Sequence, residues 1–213
     1  MVDPKKLRLY LVTDPVLCGP RGVVETCRLA LLAGVGTVQL RDKAASTREL
    51  LDTAGLLSGL CMEAGALFIV NDRVDVAMAA GADGVHLGQD DMPVRNARKL
   101  LGKDAVIGVS VRTAGEARSA FLEGADYLAA NLVFATDTKT DLGEPLGLEG
   151  VREIKSAAPL PLVAIGGIKP SNSGDVLRWG ADGIAVVSAV MAAEDVGGAV
   201  AELLDRMAEI PGG

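Results

Sequence analysis

The stretch "FIVNDRVDVAMAAGADGVHLGQDD", Phe68–Asp91, decides the fold. An apolar run closes on Asn71-Asp72. A short segment of helical character follows and ends at Gly81. A second apolar run then closes on Asp90-Asp91. Strand, helix and strand follow one another with almost no spare chain, as in a β-α-β unit with parallel strands. Carboxylates stand just past the end of both strands, so the placement matters only if those ends meet in space.

Working outward, the same unit repeats. Apolar, β-branched runs recur as "LRLYLVT", "GTVQLR", "LFIVND", "DGVHLG", "AVIGVS", "DYLAANLVF", "PLVAIGG" and "DGIAVVS". Helical periodicity fills the gaps, as in "TRELLDTAGLLSGLCMEAG", "MPVRNARKLLG" and "TAGEARSAFLEG", the last opened by a capping box of Thr113 and Glu116. "AGVGTVQL", "AGADGVHL", "EGADYLAA" and "WGADGIAV" each close a helix on glycine and open a strand, marking every second unit. Eight alternating units predict an α/β chain, a single (β/α)8 TIM barrel over residues 1–213, in preference to an open doubly wound sheet.

Composition agrees. Apolar residues make up 49% of the chain and aromatics only 3%, so the core must be Ala, Val, Leu and Ile, as in strands covered on both faces. A net charge of -7 argues against nucleic acid or anionic lipid as a partner. Three cysteines without a Cys-x-x-Cys pair point to a reducing, cytoplasmic setting. No signal peptide or apolar run of membrane-spanning length is expected.

In a barrel all strands deliver their C-terminal ends to one face, where chemistry is kept. Gln39, Arg41 and Lys43 alternate at the end of the second strand and suit an anion. Asp72 and Asp91 either hold a hard cation such as Mg²⁺ or cap the helices that follow them. Ser110, after the fifth strand, is a helix cap or a phosphate donor. The polar loop after the sixth strand carries Thr136, Thr138 and Lys139. Gly166-Gly167 and Ser188, after the seventh and eighth strands, predict a phosphate site. His86, the only histidine, is read as packed and hydrogen-bonded inside the barrel rather than as a base. One pyrophosphate-type cluster and one monophosphate pocket, without a nucleophile, suit a pyrophosphate leaving while a phosphorylated partner is alkylated.

These motifs carry a resemblance. "QLRDK", "NDRVDVAMAAGADGVHLGQDD", "TDTK", "VAIGGI" and "ADGIAVVSA" resemble, in order, those of the thiamine-phosphate synthase family, from "LYLVTD" to "VVSAV". The resemblance implies small-molecule substrates. They are 4-amino-2-methyl-5-hydroxymethylpyrimidine pyrophosphate and 4-methyl-5-(2-phosphoethyl)thiazole, joined with one Mg²⁺ per subunit. It places pyrimidine-pyrophosphate contacts on Gln39, Arg41, Lys43, Asn71, Ser110 and Lys139, with Arg41, Lys43, Lys139 and Ser110 as the catalytic groups. It places Mg²⁺ ligands on Asp72 and Asp91. It places thiazole-phosphate contacts on Thr136, Thr138, Gly167, Val187 and Ser188. A homo-oligomer is compatible with it. One stretch departs: "AANLVFAT" puts Ala129, Asn131, Leu132 and Ala135 where the family usually has two glycines and two prolines. A thiazole tautomerase and a non-catalytic ligand-binding barrel are the rival readings.

Overall fold

The computed structural model describes residues 2–136 and 143–210. Eight parallel strands close on themselves. They are β1 (Leu9–Val12), β2 (Thr37–Leu40), β3 (Leu67–Asn71), β4 (Gly84–Leu87), β5 (Val106–Val111), β6 (Tyr127–Asn131), β7 (Leu162–Ile165) and β8 (Gly183–Val186). Closure is made by β1 against β8, with Leu9 opposite Ile184 and Leu11 opposite Val186. The helices between and after the strands are α1 (Val23–Leu32), α2 (Thr47–Ala64), α3 (Val74–Ala80), α4 (Val94–Leu101), α5 (Ala114–Glu123), α6 (Gly147–Ala157), α7 (Pro170–Arg178), α8 (Ser188–Met191) and α9 (Val196–Ala208). No helix among the described residues is long and apolar enough to cross a membrane.

The strands are buried on both faces, and the period of two separates the faces. Leu9 and Leu11 join the large core under the helices, whereas Tyr10 and Val12 join Leu67, Tyr127, Val163 and Ala185 inside the barrel. Two glycines are dictated by this interior. A Cβ on Gly108 would lie 2.0 Å from the Tyr127 ring, and one on Gly84 would lie 1.7 Å from the Val106 carbonyl.

The alternate-unit echo has a physical cause at the N-terminal face of the barrel. In its Gly-Ala-Asp form the aspartate sits just before the strand. Asp83 accepts from the Phe68 amide at 2.7 Å, Asp126 from Ile107 at 2.8 Å and Asp182 from Leu162 at 2.7 Å. Each carboxylate thus ties its own strand to the start of the one before it. Arg98 on α4 adds an ion pair to Asp126 at 2.6 Å, and Lys155 on α6 does the same for Asp182. Losing Asp126 would leave the buried Ile107 amide without this acceptor and remove the ion pair of Arg98, whose guanidinium would keep its bonds to backbone carbonyls such as that of Gly124. Asp126→Ala should lower the unfolding free energy by about 1.5–3 kcal/mol in a urea titration. Activity per folded molecule should stay unchanged, because this face is remote from the strands' C-terminal ends.

Candidate active site

The C-terminal mouth of the barrel holds a cavity of about 710 Å³. Its floor is the polar part of the interior layer: Tyr10, Gln39, His86 and Ser110. Arg41 and Asn71 line one wall. Gly166, Gly167, Lys169, Val187 and Ser188 line another, and Asn131, Leu132, Ala135 and Thr136 come from the chain after β6. Gln39, Arg41, Asn71, Ser110, Thr136, Gly167, Val187 and Ser188 therefore share one cavity, whereas Lys43, Asp72 and Asp91 do not line it.

Arg41 does not reach it by strand alternation. β2 ends at Leu40, and Thr13 then holds the Arg41 backbone from both sides: its hydroxyl accepts the Arg41 amide at 2.8 Å and donates to the Arg41 carbonyl at 3.0 Å. The Arg41 guanidinium hydrogen-bonds to no described residue, and its buried Nε is left without a partner. A fixed cation with unspent donors beside a cavity fits an anion.

The carboxylates meet just outside the cavity. β3 and β4 pair with Asn71 opposite His86, and the Asp72 amide donates to the His86 carbonyl at 2.9 Å. Asp72 is the one non-glycine residue with positive φ among those described, at 60°. Burial and then hydrogen bonding with Asp91 push the Asp72 carboxyl up to about 6, against the pull of Lys43 and Arg41. Lys43 lies 3.7 Å from Asp72 and outside the cavity lining. Neither carboxylate caps a helix: α3 starts behind Arg73 and α4 behind Pro93, without a side-chain cap in either case. Asp91 instead accepts the Gly88 amide at 2.7 Å. The capping alternative is thereby set aside.

Two other caps resolve as well. Thr113, not Ser110, caps α5, its hydroxyl accepting the Glu116 amide at 3.1 Å. The Glu116 carboxylate returns to the Arg112 amide rather than to that of Thr113, so the expected capping box is displaced by one residue. Ser110 is still within β5 and meets His86 at 2.9 Å. Ser188 opens α8 behind Val187 without a side-chain cap. His86 is buried and hydrogen-bonded, as expected. Thr138 and Lys139 lie outside the described residues.

At the far wall Gly166 and Gly167 have φ of 104° and 63°. A Cβ on Gly167 would come within 2.6 Å of the Ala135 carbonyl. The departing stretch is built into this wall. Asn131 accepts Arg112 through its carbonyl at 3.2 Å, and Arg112 also reaches the Glu144 carbonyl at 2.6 Å. Tyr10, Asp14, Leu17 and Lys169 also line the cavity and were not singled out by the sequence. Only their position in a strand or in the loops after β1 and β7 could have pointed to them.

A closed parallel barrel with an arginine and two carboxylates gathered at the C-terminal ends of its strands defines a TIM-barrel enzyme acting on small molecules. The thiamine monophosphate synthase family model matches residues 9–190, and the chain belongs to that family. The thiamine-phosphate synthase of Moorella thermoacetica is 48% identical over 195 residues, 92% of this chain and 93% of that one. That of Chloroflexus aurantiacus is 51% identical over 196 residues, 92% of this chain and 90% of that one. The solved thiamine phosphate pyrophosphorylase of Pyrococcus furiosus is 46% identical, covers 98% of this chain and 99% of its own, and superposes with a TM-score of 0.90.

Proposed function

We propose that the barrel joins 4-amino-2-methyl-5-hydroxymethylpyrimidine pyrophosphate to 4-methyl-5-(2-phosphoethyl)thiazole, giving thiamine phosphate and pyrophosphate in thiamine biosynthesis. The observation that carries this is one cavity that brings Arg41 and Asn71, from the ends of β2 and β3, together with the glycine pair after β7 and Ser188 after β8. Arg41, with Asn71 beside it, receives the pyrophosphate. Gly167, Val187, Ser188 and Thr136 receive the thiazole phosphate, joined by Thr138, which lies outside the described residues and is assigned by the family resemblance alone.

The bond between the pyrimidine methylene carbon and the pyrophosphate oxygen breaks first, and its electron pair leaves with the pyrophosphate. The aminopyrimidine ring delocalises the cation left behind. The thiazole nitrogen then donates its lone pair to the methylene carbon. No proton has to move, so no histidine base is needed, and His86 takes no part as a base. Arg41, Lys43 and Lys139 stabilise the charge that grows on the leaving group, with Ser110 orienting the pyrimidine pyrophosphate. Asp72 and Asp91 would hold one Mg²⁺. Two hard oxygen donors, in a site where no group of three metal-ligating side chains occurs among the described residues, fit an ion that fills its shell with water and phosphate. When bound, Mg²⁺ supplies positive charge to the departing pyrophosphate.

The carboxylate pair makes the metal site pH-sensitive. A carboxyl raised to about 6 keeps its proton below that pH, and that proton must leave before the oxygen can coordinate. Mg²⁺ affinity should therefore fall by up to about tenfold per unit as pH drops below about 6, seen by calorimetric titration in the absence of substrate. The sign for folding is the reverse of the usual aspartate case. The raised value contributes stability that is fully present below the unfolded pKa of about 3.9, declines as pH rises from there to about 6, and is gone above about 6.

The two-wall assignment is tested by Gly167→Val. The added side chain collides with the Ala135 carbonyl and with Phe134 Cβ at 2.8 Å, in a conformation of positive φ. Binding of the thiazole phosphate should weaken roughly tenfold or more, and pyrimidine-pyrophosphate binding much less. Equal losses for both ligands in a folded variant would remove the separate walls. We place the enzyme in the cytoplasm, consistent with Cys18, Cys27 and Cys61 all being free.

A further inference from the structure

The mechanism gives no part to three buried polar groups, Tyr10, Tyr127 and His86, that lie between Gln39 and Ser110. Beneath the cavity Gln39 Nε2 donates to Tyr10 Oη at 2.6 Å. Tyr10 Oη lies 2.9 Å from Tyr127 Oη, which lies 3.0 Å from His86 Nδ1. His86 Nε2 lies 2.9 Å from Ser110 Oγ. The bonds run across the barrel from β2 through β1, β6 and β4 to β5. They use both tyrosines and the single histidine of the chain.

Counting hydrogens gives the set a direction. An amide nitrogen donates and does not accept, so Tyr10 Oη receives the first bond. Each hydroxyl has one hydrogen. Among the described residues the Tyr10 hydrogen has no other acceptor in reach, so it goes to Tyr127, and Tyr127 gives its own to His86 Nδ1. An imidazole that accepts at Nδ1 carries its proton on Nε2 when neutral, and that proton goes to Ser110 Oγ. The hydrogen of Ser110 is left for whatever occupies the cavity. At the other end, Gln39 Oε1 takes no hydrogen bond from a described residue and remains an acceptor. Both phenols are fully buried and held well above their ordinary pKa by that burial, so they keep the hydrogens this order requires.

We propose that Tyr10 and Tyr127 are positioning residues that hold His86 as the Nε2–H tautomer, so that Ser110 presents a donor and Gln39 an acceptor to the substrate. The proposal rests on the aminopyrimidine reading of the cavity, since an exocyclic amine beside a ring nitrogen offers the matching donor and acceptor. It goes beyond that reading in making the recognition depend on two side chains that do not belong to the contact set. Order of this kind in a low-dielectric interior spares the substrate the cost of reorienting dipoles.

Nitrogen NMR of ¹⁵N-labelled protein at about pH 8, where an ordinary histidine is neutral, reads the tautomer directly, because there is only one histidine to assign. The expected result is a protonated Nε2 and an unprotonated Nδ1. Tyr127→Phe removes the donor to Nδ1. It should give a mixture of tautomers and roughly tenfold weaker binding of the pyrimidine pyrophosphate, with thiazole-phosphate binding unchanged. An Nδ1–H tautomer in the unaltered protein would reverse the chain and overturn the proposal, and this holds even if the variant fails to fold. A folded Tyr127→Phe with a pure Nε2–H signal would overturn it too. Failure of the substrate reading shows separately: the expected tautomer without any thiamine phosphate formed leaves the ordered chain standing and removes only its ligand.

Discussion

Asp91→Ala should give a folded barrel with no measurable synthase turnover, and EDTA should do the same to the unaltered protein until Mg²⁺ is restored. The expectation follows from the meeting of Asp72 and Asp91 at the ends of β3 and β4, where neither carboxylate caps a helix. With one of the two carboxylates proposed to hold Mg²⁺ gone, the site should lose the ion that would help the pyrophosphate leave. The loss should therefore exceed the roughly 10²–10³ typical of removing a single stabilising donor. Asp91 also accepts the Gly88 amide, so Asp91→Asn is the companion variant. It can keep that bond through its carbonyl oxygen while losing the charge, and it should be nearly as inactive. Thermal unfolding of both variants shows whether the barrel is intact. Full turnover in either one, or indifference to EDTA, would sink the metal assignment.

Arg41→Met should lower kcat by roughly 10²–10³ with a smaller change in KM for the pyrimidine pyrophosphate. The backbone of residue 41 is held by Thr13, so the variant should leave the loop in place and remove only the guanidinium. That group spends no hydrogen bond on described residues, and its buried Nε is without a partner, which leaves donors for the anion proposed to bind there. Charge grows on the leaving group towards the transition state, and a cation that follows that growth acts on kcat. Lys139→Ala should behave in the same way. A rise in KM alone would make either residue an anchor for substrate rather than a group acting on the departing pyrophosphate. A tautomerase would show no such dependence, having no pyrophosphate to release.

The barrel was legible because its signal is periodic and local. Eight apolar runs separated by helical segments survive as β1 to β8, and the glycine echo marks the strands it was read to mark. The reason for the echo was not legible. Asp83, Asp126 and Asp182 act on the strand before their own, and that pairing exists only once the sheet has closed. The cavity residues were legible as strand ends, but the way Arg41 enters was not, since Thr13 and not strand alternation fixes it. The Tyr10–Tyr127 contact joins positions 117 residues apart in two unremarkable apolar runs, and no local pattern announces it. Ser110 was left between cap and ligand donor because a serine at a strand end suits both; the Thr113 cap removes the first role.

Incubating the purified protein with 4-amino-2-methyl-5-hydroxymethylpyrimidine pyrophosphate, 4-methyl-5-(2-phosphoethyl)thiazole and Mg²⁺, and following thiamine phosphate and pyrophosphate together, tests the central claim most directly. Both products should appear in equal amounts, only when both substrates and the metal are present. Pyrophosphate released without thiamine phosphate would mean that the cavity cleaves the first substrate but does not deliver it to the second. Formation of neither product, by a protein that binds both ligands, would contradict the account and leave a binding barrel.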